Sequence, residues 1–236
     1  MANESLKHAK ALLFDYMGTV TDWLTPVSRA FAENAPPGAT QDWVAFAHKW
    51  RGQFFTQVAE INKNNSDFVS IHDIFDSTLS QIQAGTGLEW DKETREALIR
   101  SWGGLLAFKD SQEGLRRLRE KYTVVILTNG ITKKIIESNK RNALDWDLIL
   151  GSDIVGAYKP NSKAYQTAIK ILGLEPSQCI MVAAHAYDLE AAASHGMRTA
   201  YIKRDTEDMD VNLSGYSFDV MIAEGGLLGL ASIICD

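Results

Sequence analysis

Two spacings of apolar residues divide this chain. The runs Ala11-Leu12-Leu13-Phe14, Tyr122-Thr123-Val124-Val125-Ile126-Leu127 and Cys179-Ile180-Met181-Val182-Ala183-Ala184 are continuous and too short for helices. They read as strands buried on both faces. Residues 148–150, 199–203 and 220–222 predict further short strands, the last two at sheet edges. Between them, residues 111–121, 131–140, 163–172 and 187–195 predict helices, the third stopped by Gly173 and the fourth by Gly196. Strands alternating with helices predict an α/β fold, a doubly wound, Rossmann-like parallel sheet with right-handed crossovers.

The second spacing fills residues 23–106, where no strand pattern stands out and apolar positions recur at three and four. A short helix over 26–34 stops at Pro36-Pro37-Gly38. Thr40 or Asp42 caps a long helix carrying Trp43, Phe46, Trp50, Phe54, Val58 and Ile61, followed by a loop at 62–66. Helices over 71–82 and 91–102 follow, the second capped by Asp91. The chain therefore divides into a core domain, residues 1–22 and 107–236, and an inserted four-helix cap domain, residues 23–106. No internal repeat or low-complexity tract interrupts this order.

Composition narrows the function classes. The 236 residues carry a net charge of −6, with 45% hydrophobic and 23% charged residues. An acidic balance argues against a nucleic-acid or anionic-membrane surface. No stretch approaches the roughly 20 apolar residues of a membrane span. The polar residues 1–10 carry no apolar secretion core. Cys179 and Cys235 are too few and too far apart for a disulfide framework or a metal site and read as thiols in a reducing, cytoplasmic setting.

A parallel sheet gathers the carboxyl ends of its strands in one crevice. Asp15 ends the first strand, ahead of a turn glycine, Gly18, and a hydroxyl, Thr19. Thr128-Asn129-Gly130 ends the second, Lys159-Pro160 stands in a loop, and His185 to Asp188 follows another strand. Singly, each has a plainer reading: a strand-end Asp, a turn, a solvated lysine, a helix cap. Together they make a small polar site.

Their order also resembles that of a known family. Asp15-Tyr16-Met17-Gly18-Thr19 with Asp22 resembles the first motif of the haloacid dehalogenase superfamily, in which the first Asp is the nucleophile. The superfamily's phosphatases carry a second Asp two residues on as general acid. Here Met17 stands there, as an apolar or aromatic residue does in the 2-haloacid dehalogenases. Thr128-Asn129-Gly130, Lys159-Pro160-Asn161 with Tyr165, and the strand running into Tyr187-Asp188 resemble the remaining core motifs. Lys49-Trp50-Arg51 resembles the cap helix bearing the family's active-site Arg. The chain is similar to the type II, or (S)-2-haloacid, dehalogenases along nearly its whole length.

The resemblance implies a reaction. Asp15 displaces halide from a short 2-haloalkanoic acid and becomes an aspartyl ester, which water hydrolyses to the 2-hydroxy acid. Lys159 holds Asp15 ionised, Thr19 and Thr128 donate to Asp15 or to the substrate carboxylate, and Arg51 and Asn129 receive the halide. Asp188 positions or deprotonates the water, Tyr165 bonds Lys159 or the substrate, and Met17 and Tyr187 contact the alkyl group. No metal or cofactor is expected, and the partners are the haloacid and halide, without nucleic acid or membrane. A homodimer through cap aromatics stays open. Departures stand at Ala183, His185, Tyr187 and Gly52, where well-known bacterial members have Ser, Asn, Trp and often a polar residue. His185 either helps Asp188 activate the water or replaces the amide as a donor. Two alternatives remain: an Mg²⁺-dependent phosphatase, which Met17 disfavours, and a non-catalytic binding protein on the same fold.

Overall fold

The computed structural model describes residues 6–64 and 68–235, and the chain divides into two compact units, Met1–Thr21 with Ala107–Asp236, and Asp22–Leu106. The first unit opens with β1 (Ala11–Phe14), every residue buried, as its unbroken apolar run requires. A two-residue strand, β2 (Thr21–Asp22), leads out of it.

The second unit consists of four helices. In α1 (Leu24–Glu33), Pro26 falls in the first turn, where its missing N–H costs nothing, and Val27 and Phe31 face inward. Asp42 caps α2 (Trp43–Lys63), accepting from the N–H groups of Val44 and Ala45. The loop expected over 62–66 begins later, because Asn62 and Lys63 complete the last turn of α2 and the Asn64 N–H reaches Glu60 O. Residues 65 and 66 of that expected loop lie outside the described residues. Ser70 caps α3 (Ile71–Gln83) and Asp91 caps α4 (Lys92–Ser101). The interior is aromatic: Trp102 stacks on Phe75 at 4.5 Å and on Trp23 at 5.3 Å, and Trp50 Nε1 donates to Thr78 Oγ1.

The chain re-enters the first unit through β3 (Leu106–Ala107), which pairs with β2. Then come α5 (Ser111–Arg119), β4 (Thr123–Leu127), α6 (Thr132–Asn142), β5 (Leu148–Leu150), α7 (Ser152–Val155), α8 (Ser162–Leu172), β6 (Cys179–Ala183), α9 (Ala186–Ser194), β7 (Arg198–Ile202), β8 (Val220–Ile222) and α10 (Gly226–Ile234). Among the described residues the main sheet has six parallel strands in the order β5-β4-β1-β6-β7-β8. Residues 198–202 are therefore interior, correcting the expected edge: β8 covers them, and Thr199 to Ile202 are buried. Two helices were not expected, α7 and α10. In α10, Leu227, Leu230, Ala231 and Ile234 are buried, while Gly225, Gly226 and Gly229 blur the helical signal in the sequence. The core on one face of the sheet joins Leu13, Val125, Leu127 and Met181 to Tyr165 and Ala168 of α8 and Leu189 of α9.

Candidate active site

The direction of the sheet reverses about β1: the chain runs next to β4 on one side and later to β6 on the other. Doubly wound sheets open a crevice at the carboxyl ends of such strands. Asp15 stands there, one residue past β1, its N–H bonded to Val182 O at 2.9 Å. The chain then reverses through Gly18 at φ +86°, a region side-chain-bearing residues avoid, with the Gly18 N–H on Thr21 O at 2.7 Å. This reversal points the Thr19 hydroxyl at Asp15 Oδ2, 2.8 Å away, while Thr19 Oγ1 accepts the Ala184 N–H at 2.8 Å.

Lys159 reaches the same carboxylate from the loop between α7 and α8. Only 2% of it is exposed, far from the solvated lysine its loop position suggests. Its Nζ donates to Asp15 Oδ1 at 2.9 Å and to Asp188 Oδ2 at 2.5 Å. The Tyr165 hydroxyl, from α8, donates to Asp188 Oδ1 at 2.6 Å. Asn129 clamps the lysine's backbone, accepting its N–H at 2.7 Å and donating Nδ2 to its carbonyl at 3.2 Å.

The electrostatics differ between the two carboxylates. Burial alone would raise the pKa of Asp15, but the Lys159 ammonium and His185 outweigh it and hold the carboxyl well below the usual range. Burial likewise opposes the charge on Lys159, and the flanking carboxylates overcome it, so its pKa rises. For Asp188, fully enclosed, burial wins over Lys159 and the pKa is raised. Asp15 is thus the carboxylate kept as an anion, the form that can act as a nucleophile.

His185 holds the N-cap position of α9 with no side-chain cap bond, and its Nδ1 is 3.1 Å from Asp15 Oδ2. Nε2 is 2.7 Å from Glu207 Oε2. Sequence reasoning missed Glu207, which lies in the polar loop after β7, where hydrophobic periodicity carries no signal. It is 4% exposed, with its carboxyl against the Gly18 Cα; a Cβ at Gly18 would come within 2.5 Å of Glu207 Cδ.

The sequence model of the haloacid dehalogenase-like hydrolases matches residues 9–196. The chain belongs to this family. Among similar proteins is the (S)-2-haloacid dehalogenase 4A of Burkholderia cepacia, 29% identical over 199 residues, 83% of each chain. A solved defluorinating L-2-haloacid dehalogenase is 30% identical with a TM-score of 0.87, covering 100% of this chain and 99% of its own. A glyceraldehyde 3-phosphate phosphatase of Pyrococcus furiosus is 32% identical over 114 residues, 47% of each chain.

Since proteins similar to this haloacid dehalogenase-like hydrolase include both dehalogenases and a phosphatase, the site has to separate the two chemistries. Met17, at the position where the phosphatases keep their second Asp, is half-buried and has no group to transfer a proton. Lys159 Nζ bridges Asp15 and Asp188, so this buried carboxylate pair is already paired with a side-chain cation. Among the described residues no group of three or more His, Cys, Asp or Glu side chains is placed to hold a metal ion.

The remaining expected site residues fall into place unevenly. The hydroxyl of Tyr165 donates to Asp188 and not to Lys159. The amide of Asn129 bonds the Lys159 backbone through both its oxygen and its nitrogen. Asp188 accepts from Lys159 on one oxygen and from Tyr165 on the other. Thr128 is buried at the end of β4, where its Oγ1 accepts the Gly130 N–H at 3.1 Å. Tyr187 is half-buried with its ring stacked 5.8 Å from His185. In the helical unit, the Arg51 guanidinium lies 4.6 Å over Trp23 and 5.1 Å over Phe55, packing that presets its plane.

Proposed function

We propose that this chain hydrolyses the carbon–halogen bond of short 2-haloalkanoic acids, yielding 2-hydroxy acids through an ester on Asp15. The observation that carries the reading is a buried carboxylate held ionised by a buried ammonium, with a thioether where a phosphatase needs its acid. In the first step an Asp15 oxygen attacks the halogen-bearing carbon from the face opposite the halide, which leaves with its electron pair. Lys159 and Thr19 fix the carboxylate for that attack, and a nucleophile held in position avoids most of the entropy cost of the encounter. In the second step water attacks the Asp15 carbonyl carbon and releases the product.

Arg51 is our choice for receiving the halide, supported by its motif and by the rings that hold it flat. Thr128 is assigned to the substrate carboxylate, and Met17 and Tyr187 to the alkyl group. Among the described residues no helix is long and apolar enough to cross a membrane. A cytoplasmic setting is part of the proposal, as the acidic balance and sparing use of cysteine suggest.

The test is halide release from (S)-2-chloropropionate and chloroacetate in EDTA, for wild type and Asp15→Asn. Release that resists EDTA and falls at least 1,000-fold in the variant is expected, because loss of a covalent nucleophile removes the pathway itself. Running one turnover in ¹⁸O-water sharpens the result. Water attacking the Asp15 carbonyl leaves the first hydroxy acid unlabelled, whereas direct attack of water on the substrate would label it. Phosphate release from an ester with Mg²⁺, and no halide, would overturn the reading.

A further inference from the structure

His185 lies between two carboxylates, Asp15 Oδ2 at 3.1 Å from Nδ1 and Glu207 Oε2 at 2.7 Å from Nε2. Asp15, His185 and Glu207 are 6%, 5% and 4% exposed, so bulk water is almost absent from both contacts. Nε2 is within hydrogen-bond distance of Glu207, and Nδ1 faces Asp15, which Lys159 and Thr19 hold as an anion, so that negative charge favours a second ring proton beside it.

We propose that His185 is an imidazolium while Asp15 is a free carboxylate and sheds its Nδ1 proton when Asp15 becomes an ester, so that the first half-reaction creates the base for the second, with Glu207 as the positioning residue that keeps the Nε2 proton in place. This rests on the aspartyl-ester reading above. Ester formation removes the negative charge beside Nδ1 and leaves Glu207 as the partner on the far nitrogen, and a His held by a carboxylate on one nitrogen presents the other as a base. The titratable groups facing His185 are Asp15 after β1, Glu207 after β7 and Tyr187 on α9, with Lys159 and Asp188 one hydrogen bond beyond Asp15.

The seat of Glu207 is built for this. Its N–H bonds Arg204 O at 3.1 Å, and the Thr206 hydroxyl donates to Oε1 at 3.2 Å. Arg204 is itself fixed, donating Nε to Thr19 O at 3.0 Å and both terminal nitrogens to Asp110. Gly18 supplies the space. The protons balance as follows. The Asp15–carbon bond forms, the carbon–halogen bond breaks, and the Nδ1 proton passes to solvent. Water then attacks the ester carbonyl carbon while giving a proton to Nδ1. The bond from that carbon to the substrate oxygen breaks, and the alkoxide takes the proton from Nδ1. The carboxylic acid left on Asp15 returns its own proton to Nδ1. One halide, one hydroxy acid and one proton result.

The protonation state is read by ¹⁵N NMR of histidine-labelled protein at pH 7.5, the His185 signals being identified by their absence in His185→Asn. Wild type is expected to show two protonated ring nitrogens. Asp15→Asn, in which position 15 is neutral as in the ester, is expected to show a neutral ring with the proton on Nε2. A neutral ring in the wild type, or an imidazolium in both, overturns the proposal. In rapid-quench assays His185→Asn is expected to release one halide per site and then stall, with the ester visible by mass and turnover down 100-fold or more. Glu207→Gln should keep the halide burst and slow ester hydrolysis at least 10-fold, with a shifted pH profile. Normal turnover in His185→Asn would also overturn it. A retained halide burst excludes misfolding as the cause of the stall. If wild type itself releases no halide, the dehalogenase reading fails, and the NMR result still decides the protonation of His185.

Discussion

At the scale of single residues, the centre of the site is a three-member charge cluster in which one ammonium is shared by two buried carboxylates. Deleting the shared cation is more damaging than its single hydrogen bonds suggest, because two charges lose their partner in a low-dielectric interior. Lys159→Met is therefore expected to lose about 3–5 kcal/mol in urea unfolding at pH 7, along with activity. The gap should narrow on acidification, and the sign follows from each group. In the wild type the depressed Asp15 pKa stabilises the fold above the unfolded value of about 4, and that stability is lost as pH falls below it. The raised Asp188 pKa works the other way, favouring the fold as pH falls. In the variant both carboxylates are raised by burial, so protonation relieves them. A gap that stays constant from pH 7 to pH 4 would show that the cluster does not act through these charges. Much of this cluster was legible in the sequence, since Asp15, Lys159 and Asp188 sit at strand and loop ends in a recognisable order. Glu207 was not, because its partner is 22 positions away and the contact exists only once β6 and β7 lie side by side.

At the scale of elements, apolar spacing located the long helices and the buried strands, and caps such as Asp42, Ser70 and Asp91 set the starts of α2, α3 and α4. What escaped was context. The strand at 198–202 looks like an edge until β8 is known to pair with it, and α10 is disguised by three glycines. Two glycines inside helices then separate propensity from packing. A Cβ at Gly114 of α5 would meet the Leu227 carbonyl carbon and Cβ of α10 at 2.6 Å, and backbone cannot swing aside. Gly114→Ala should therefore cost about 1–3 kcal/mol by overpacking, even though alanine is the better helix former. Gly52 of α2 is exposed with nothing within 4 Å, so Gly52→Ala should gain about 0.5–1 kcal/mol. Urea midpoints for the pair check both signs at once, and equal shifts would show that the α5–α10 packing is slack.

At the scale of the whole molecule, the division into a parallel-sheet unit and a helical unit follows from the two apolar spacings, each of which supports only one kind of layer. The strand that leads into Asp15 has β4 on one side and β6 on the other, with two further neighbours beyond β6 and one beyond β4. Its amides cannot meet solvent by fraying at an edge. Exchange of the backbone protons of Leu12, Leu13 and Phe14 with deuterium should therefore proceed only through complete opening of the sheet unit, at the slowest rate in the chain and with the free energy of global unfolding. Faster exchange there than in β8 would contradict this. A carboxylate seated so deeply has a lifetime set by the fold as a whole: heat or denaturant would silence such molecules one by one, each either competent or unfolded, and the survivors would keep an undiminished turnover rate.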